Sequence, residues 1–266
     1  MLICKEYRVL GESRKSSGVQ SVERSLDIIE TLVTEPHGMG ISQISEITGM
    51  SKSTVHRLIS TLLERGYVAK SHDSSYKVGL KLIEAASVYL NSLELHTEAR
   101  PYISRIAHDL GLTSHLGIIE GDQVVYIERM DMISSIQLYH QIGLRVPAYA
   151  SSLGKCLLSA YSHEELELVM KDCTFQKFTN NTITSFEEFR KEMHEVRKKG
   201  WAIDDQESEE DHRCIGAPIF DYRGDIIAAV SASGSLSQLP DDRIESVAEY
   251  LKSTALEISR EMGYSG

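Results

Sequence analysis

Apolar residues recur at helical spacing three times in the first quarter of the chain. Val22, Leu26, Ile29 and Val33 follow a candidate cap at Ser21, and Glu35-Pro36-His37-Gly38 stops the run. Ile44 and Ile47 mark a short second helix that starts at Ile41-Ser42 and ends at Gly49. Ser51 caps a third, whose Val55, Leu58, Ile59, Leu62 and Leu63 make an i, i+3, i+4, i+7, i+8 stripe. After Gly66 the pattern becomes strand, turn, strand: Tyr67–Lys70, His72–Ser75, Tyr76–Gly79. A further helix, with Leu82, Ile83, Ala86, Tyr89, Leu90 and Leu93 on its apolar side, runs to about Leu95 as a connector.

From Thr97 the pattern is mixed. A helix over 97–110 precedes strand-like runs Ser114–Glu120 and Gln123–Arg129, joined by Gly121-Asp122, and a third extended run lies near Ile136–Ile142. Helices fill 151–199, where Ser162-x-x-Glu165 and Ser185-x-x-Glu188 have capping-box spacing. Trp201–Asp205, Cys214–Phe220 and Ile226–Ser233 read as strands, the last two joined by a turn at Tyr222–Asp225. A closing helix from Pro240 turns Ile244, Val247, Leu251, Ala255, Ile258 and Met262 inward. Strands framed by helices predict an antiparallel sheet with helices against it, so the chain is α+β. The expected divisions are a disordered tail over 1–17, a winged helix-turn-helix over 18–79, a linker helix over 80–96, and a ligand-binding domain over 97–266.

A length of 266 residues fits two ordinary domains, and 41% apolar with 25% charged residues excludes global disorder. Cys4, Cys156, Cys173 and Cys214 form no CxxC pair, which suits a reducing cytoplasm. The first residues lack a signal-peptide core, and no apolar run is long enough to span a bilayer. The net charge of −11 argues against a partner made of phosphates. By segment the picture changes. Residues 1–78 carry 10 basic and 9 acidic groups, a net +1, leaving 18 basic and 30 acidic groups, a net −12, for the rest.

The near-neutral segment holds the first chemistry. The apolar stripe of the third helix leaves Lys52, Ser53, Thr54, His56, Arg57, Ser60 and Thr61 outward, with no acid among them. A helix in a major groove presents donors of this kind to base edges and phosphates. Ser51, Ser53 and Thr54 suit phosphate oxygens beside the helix start, and Arg57 suits a guanine edge. The hairpin adds Lys70, His72 and Lys77 for flanking backbone. One such module touches few bases, so double-stranded DNA with paired, palindromic half-sites and a homo-oligomeric protein are expected.

The acidic part holds the second. Asp204 adjoins a strand, whereas the rest of the acidic run to Asp211 suits a solvated loop. Cys214 opens an apolar strand, where a buried core thiol is the commoner case. Ser231 and Ser233 flank Ala232, so both hydroxyls face one side of a strand and need polar partners. Ala150–Gly154 lies at a helix start, which favours a carboxylate.

GMSKSTVHRLISTLLERGYV, preceded by VERSLDIIETL and ISQISEITGM, resembles the DNA-binding domain of the IclR family of bacterial transcriptional regulators. YASSLGKCLLSAY and DDQESEEDHRCIGAPIFDYRGDIIAAVSASG resemble motifs of its effector domain, and the likeness spans about residues 18–262. The resemblance implies a GAF-like α/β effector domain, a dimer or dimer of dimers on palindromic operators, and small-acid effectors. Carried over by position, the Ser152 and Leu153 amides and Gly154 meet a ligand carboxylate. Asp204 is the acidic contact, Cys214, Ser231 and Ser233 are the pocket thiol and hydroxyls, and Leu138 and Val146 are wall residues. Ser152-Leu153 departs from the Gly-Ala of some members, Asp211 from a common Gly, and Gly234-Ser235 from Gly-Pro. TNNTITSFEEFRKEMHEVRKKGWAIDD with RCIGAPIFD most resembles members that sense sugar-acid breakdown products such as 2-keto-3-deoxygluconate; glyoxylate- or pyruvate-like and aromatic acids are the alternatives. The expectation is a cytoplasmic, non-enzymatic repressor of a catabolic operon, without cofactor or resident metal.

Three rivals remain open. Cys156 or Cys214 with His163 or His212 is a conceivable nucleophile and base, although no nucleophile elbow or phosphate loop appears. Asp204, His212 and Cys214 form a conceivable mixed metal site. The helix-turn-helix can also dock on protein instead of DNA.

Overall fold

The computed structural model describes residues 18–71, 74–85, 94–131 and 142–266. Contacts divide the chain into two compact units, Met1–Ser92 and Leu93–Gly266. The expected tail lies outside the described residues. So do residues 86–93 of the expected linker helix, of which residues 80–85 are helical.

In the first unit, α1 (Gln20–Val33), α2 (Ile41–Thr48) and α3 (Lys52–Glu64) precede the hairpin β1 (Val68–Lys70) and β2 (Tyr76–Val78). Gly49 closes α2 with φ +68°, a left-handed turn that suits a residue without Cβ. Met39 pairs with Tyr76 through two 2.8 Å backbone bonds, tying the α1–α2 connection to the hairpin. Ile28, Leu32, Ile44, Val55, Ile59, Leu62 and Val68 fill the core. Two expectations for α1 fail. The residue at its N-cap is Val19, not Ser21, and it makes no side-chain cap. Its buried stripe is Ile28 and Leu32, whereas Val22, Leu26 and Val33 are exposed at 55%, 52% and 61%. Val22, Leu26 and Val33 lie on a second apolar face, rotated from the one this core takes up, whereas Ile29 is half-buried and packs against the core as expected. Ile47 of α2 is likewise exposed.

The second unit is a six-stranded antiparallel sheet in the order β5-β4-β3-β8-β7-β6. Its strands are β3 (Thr113–Glu120), β4 (Gln123–Met130), β5 (Arg145–Pro147), β6 (Ala202–Asp205), β7 (His212–Phe220) and β8 (Ile226–Ser235). The expected strand near 136–142 falls mostly outside the described residues. α4 (Glu94–Leu110) runs as one helix through the expected boundary at residue 96. It packs on one sheet face with α8 (Ile244–Glu261), and Ser114 Oγ donates to Ile103 O of α4 at 2.6 Å. The opposite face carries α5 (Ser152–Leu158), with α6 (His163–Val169) and α7 (Phe186–Lys199) beyond it. Ser162 and Glu165 form the complete capping box expected of them. At the start of α7, Ser185 accepts from the Glu188 amide, but the Glu188 carboxylate accepts from Thr184 N, one residue earlier than a box requires.

Two glycines let the start of α5 lie close to its neighbours, Gly154 against the Ala148–Ala150 turn that precedes the helix and Gly216 against it from the sheet. A Cβ on Gly154 would stand 2.4 Å from Ala148 O, and one on Gly216 of β7 would stand 3.1 Å from the Ser152 backbone. Backbone therefore meets backbone beneath α5, and the helix start sits directly over β7.

Candidate functional site

The outer face of α3 is as expected. Ser51 Oγ accepts from the Thr54 amide at 3.2 Å and lies 3.0 Å from Ser53 Oγ and 2.9 Å from Thr54 Oγ1. Three hydroxyls thus gather beside the amides that a helix start leaves without intrahelical partners. Lys52, Ser53, His56, Arg57, Ser60 and Thr61 are exposed, and Thr54 is half-buried. Ser60 Oγ donates back to His56 O at 2.8 Å, which orients that hydroxyl but leaves its lone pairs outward. On the hairpin Lys70 and Lys77 are exposed, and Lys70 Nζ stands 5.8 Å from the Tyr76 ring centre. His72 lies outside the described residues. The face offers donors and positive charge to an anionic, edge-presenting surface.

In the second unit, sheet register brings most of the expected pocket residues into two rows beneath α5. Asp204 pairs with Cys214, Cys214 with Ser233, and Ser233 with Thr113. Two residues along, Ala202 pairs with Gly216, Gly216 with Ser231, and Ser231 with His115. Alternation puts both rows on the α5 face, with Ser152 over Gly216. Ser152, Leu153, Asp204, Ser231 and Ser233 are all buried. Gly154 packs closely against Ala148 in the turn before the helix. Val146 pairs with Val124 at the other end of β4 and joins the apolar cluster around Leu153, away from the serine rows. Leu138 lies outside the described residues.

Asp204 is occupied by its own turn. Oδ1 accepts from the Glu207 amide at 2.7 Å and the Ser208 amide at 3.3 Å, and Oδ2 accepts from Ser208 Oγ at 2.5 Å. Burial pushes its carboxyl upward, against the pull of these bonds and of Lys155. The two serine hydroxyls also have protein neighbours. Ser231 Oγ lies 3.5 Å from His115 Nδ1, and Ser233 bonds the Cys214 thiol.

Three residues of this region, His115, Thr113 and Lys155, are not among the expected site residues. His115 is 6% exposed and stacks on Tyr126 at 4.9 Å between ring centres. Thr113 Oγ1 donates to Asp131, which also takes two bonds from Arg129. Lys155 is 1% exposed, donates to Ile203 O at 2.8 Å and pairs with Glu207 Oε1. Thr113 and His115 show the same period of two as Ser231 and Ser233, and Lys155 interrupts the apolar run Leu153–Leu158. Both signals stand in the sequence.

The cysteines of the rival readings are buried or half-buried. Cys156 is fully buried in the core, and burial pushes its thiol up to about 12. Cys214 Sγ is 3.7 Å from His212 Nδ1, but burial and the Asp204 charge raise it well above the usual thiol range. A nucleophilic cysteine needs the opposite shift. Among the described residues, no group of three or more His, Cys, Asp or Glu is placed to hold a metal ion, and no helix is long and apolar enough to cross a membrane. Two surface recesses of about 440 Å³ and 560 Å³ lie along α7, and neither is lined by Ser152, Asp204, Cys214, Ser231 or Ser233.

Residues 21–72 match the family model described as the IclR helix-turn-helix domain. Residues 87–260 match that of the bacterial transcriptional regulator IclR C-terminal domain. The chain is 32% identical over 247 residues to the HTH-type transcriptional regulator XynR of Escherichia coli (strain K12), covering 92% of this chain and 98% of XynR. It is 32% identical over 252 residues to KdgR of the same organism, covering 94% and 95%. The crystal structure of the Thermotoga maritima IclR superposes with a TM-score of 0.79 at 32% identity, covering 92% of this chain and 99% of that one.

Proposed function

The chain belongs to the IclR family of bacterial transcriptional regulators, and from that premise we propose that it is a cytoplasmic repressor of a catabolic operon, released from its operator by a small organic acid. The exposed, acid-free face of α3 carries the DNA half of this reading. α3 enters the major groove with Arg57 on a base edge. Ser51, Lys52, Ser53 and Thr54 hold phosphate, and Lys70 and Lys77 touch the flanking backbone. One helix reads few base pairs, so the protein binds a palindromic operator as a dimer or dimer of dimers.

The effector is an acid seated between the start of α5 and the Ser231 and Ser233 rows. The Ser152 and Leu153 amides meet its carboxylate, while Ser231, Ser233 and Cys214 meet its oxygens. The Asp204 carboxylate supports this site through the turn it caps. Sugar-acid breakdown products such as 2-keto-3-deoxygluconate are the favoured ligands. Binding shifts the population of DNA-competent protein by its differential affinity for the two states, so a mere occupant without that difference has no effect. No catalytic step is assigned: burial raises the Cys156 and Cys214 thiols, which disfavours the thiolate that a cysteine nucleophile needs.

A thermal-shift screen of 2-keto and sugar acids, followed by operator titration with each acid that binds, tests the reading. A stabilising acid that weakens operator binding supports it. Stabilisation by none of them contradicts the effector half.

A further inference from the structure

Lys155 and Glu207 form a nearly sealed ion pair between α5 and the β6–β7 loop. A buried pair of this kind is weak evidence for stability, because desolvation offsets the attraction. What it does well is fix geometry. Lys155 Nζ also holds Ile203 O, the residue before Asp204. The Glu207 amide donates to Asp204 Oδ1, and its carbonyl accepts from Thr182 Oγ1 at 2.6 Å. Helix, strand and two loops therefore meet at one charge pair, which ties α5 to the residue before Asp204 and to the turn that Asp204 caps. Glu207 Oε2 is buried and accepts nothing among the described residues. An idle carboxylate oxygen in such a place is costly.

We propose that Lys155 and Glu207 are positioning residues of the effector site, a clamp that sets α5 against the Asp204 turn and links acid binding to proton uptake. This rests on the organic-acid reading above. The charged groups facing Glu207 are Lys155 from α5, Asp204 from β6 and Glu192 from α7. Burial raises the Glu207 carboxyl to about 7, with Lys155 opposing and the two acids adding. An anion arriving beside this clamp favours the protonated form further. Binding therefore takes up a proton and tightens as pH falls.

The test is calorimetric titration of the full chain with 2-keto-3-deoxygluconate, pyruvate and 4-hydroxybenzoate between pH 6 and 8, in buffers of different ionisation enthalpy. For an acid that binds, affinity rises several-fold from pH 8 to pH 6 with net proton uptake. In Glu207→Gln, which keeps shape and a partner for Lys155, that pH dependence flattens. Lys155→Met, shown to be folded by its melting curve, loses at least tenfold in acid affinity while operator affinity holds. An unchanged pH dependence in Glu207→Gln, or wild-type acid affinity in folded Lys155→Met, overturns the clamp. If the wild-type chain binds none of the acids, the organic-acid reading fails, and the clamp built on it falls too.

Discussion

Asp204 and Cys214 stand opposite each other across β6 and β7, yet both Asp204 oxygens are engaged by the turn that follows, at Glu207 and Ser208. The carboxylate expected to meet a ligand is thus a builder of the site. Asp204→Asn keeps an acceptor for the Glu207 amide but presents an NH2 group to Ser208. The expected cost is ~1–2 kcal/mol of stability, with loss of the effector response and no change in operator affinity. Urea unfolding followed through Trp201, the single tryptophan and 7% exposed, measures the first.

Arg57→Ala is expected to weaken operator binding by ~1–3 kcal/mol and to relax sequence preference at one base pair. Lys52→Ala is expected to weaken operator and unrelated DNA alike, and to reduce the salt slope by about one. Anisotropy titrations on both DNAs at several salt concentrations separate the two residues. Acid binding stays at the wild-type level in each.

Ser51→Ala removes the side-chain acceptor of the Thr54 amide at the α3 start. The expected loss is ~1 kcal/mol in the helix-turn-helix unit, read by its melting temperature. Operator affinity falls as well, because Ser53 and Thr54 lose the hydroxyl that gathers them.

Gly154→Ala places a methyl 2.4 Å from Ala148 O, and backbone on both sides leaves little room to yield. Overpacking of this kind costs ~1–3 kcal/mol. It is expected to push the start of α5 away from the Ala148–Ala150 turn and to abolish acid-induced stabilisation in a thermal-shift assay, while operator binding persists.

The pH dependence of stability follows from Glu207 and Asp204, both raised by burial. With Glu207 moved from 4.5 to about 7, the folded chain keeps a proton that the unfolded chain has released between those values. The stabilising contribution is complete below the unfolded value and is lost as pH rises through the folded one. Unfolding of the ligand-free protein, followed at Trp201, should show stability falling between pH 5 and 7.5, and falling less in Glu207→Gln.

Features written in neighbouring residues were legible. The Ser51 cap, the Gly49 turn, the Ser162–Glu165 box and the β7–β8 hairpin each follow from chemistry within a few positions. So does the common face of Ser231 and Ser233. The misjudged features depend on distant partners. α1 carries two apolar faces, and only packing against α2 and α3 decides that Ile28 and Leu32 go inward. His115 gains its meaning from Ser231, 116 residues away. Glu207 looked like one more acid of a solvated run, and it is buried because Lys155 is 52 residues upstream. The pocket's chemistry was therefore visible in outline, while the groups that hold it in shape were not.

The most direct test of the account is a titration of operator DNA, selected from random sequence by the full-length protein, with and without a saturating acid found by thermal shift. Operator affinity is expected to be at least fivefold weaker in the presence of the acid, within the usual range of allosteric coupling. Identical operator affinity with and without an acid shown to be bound would contradict it.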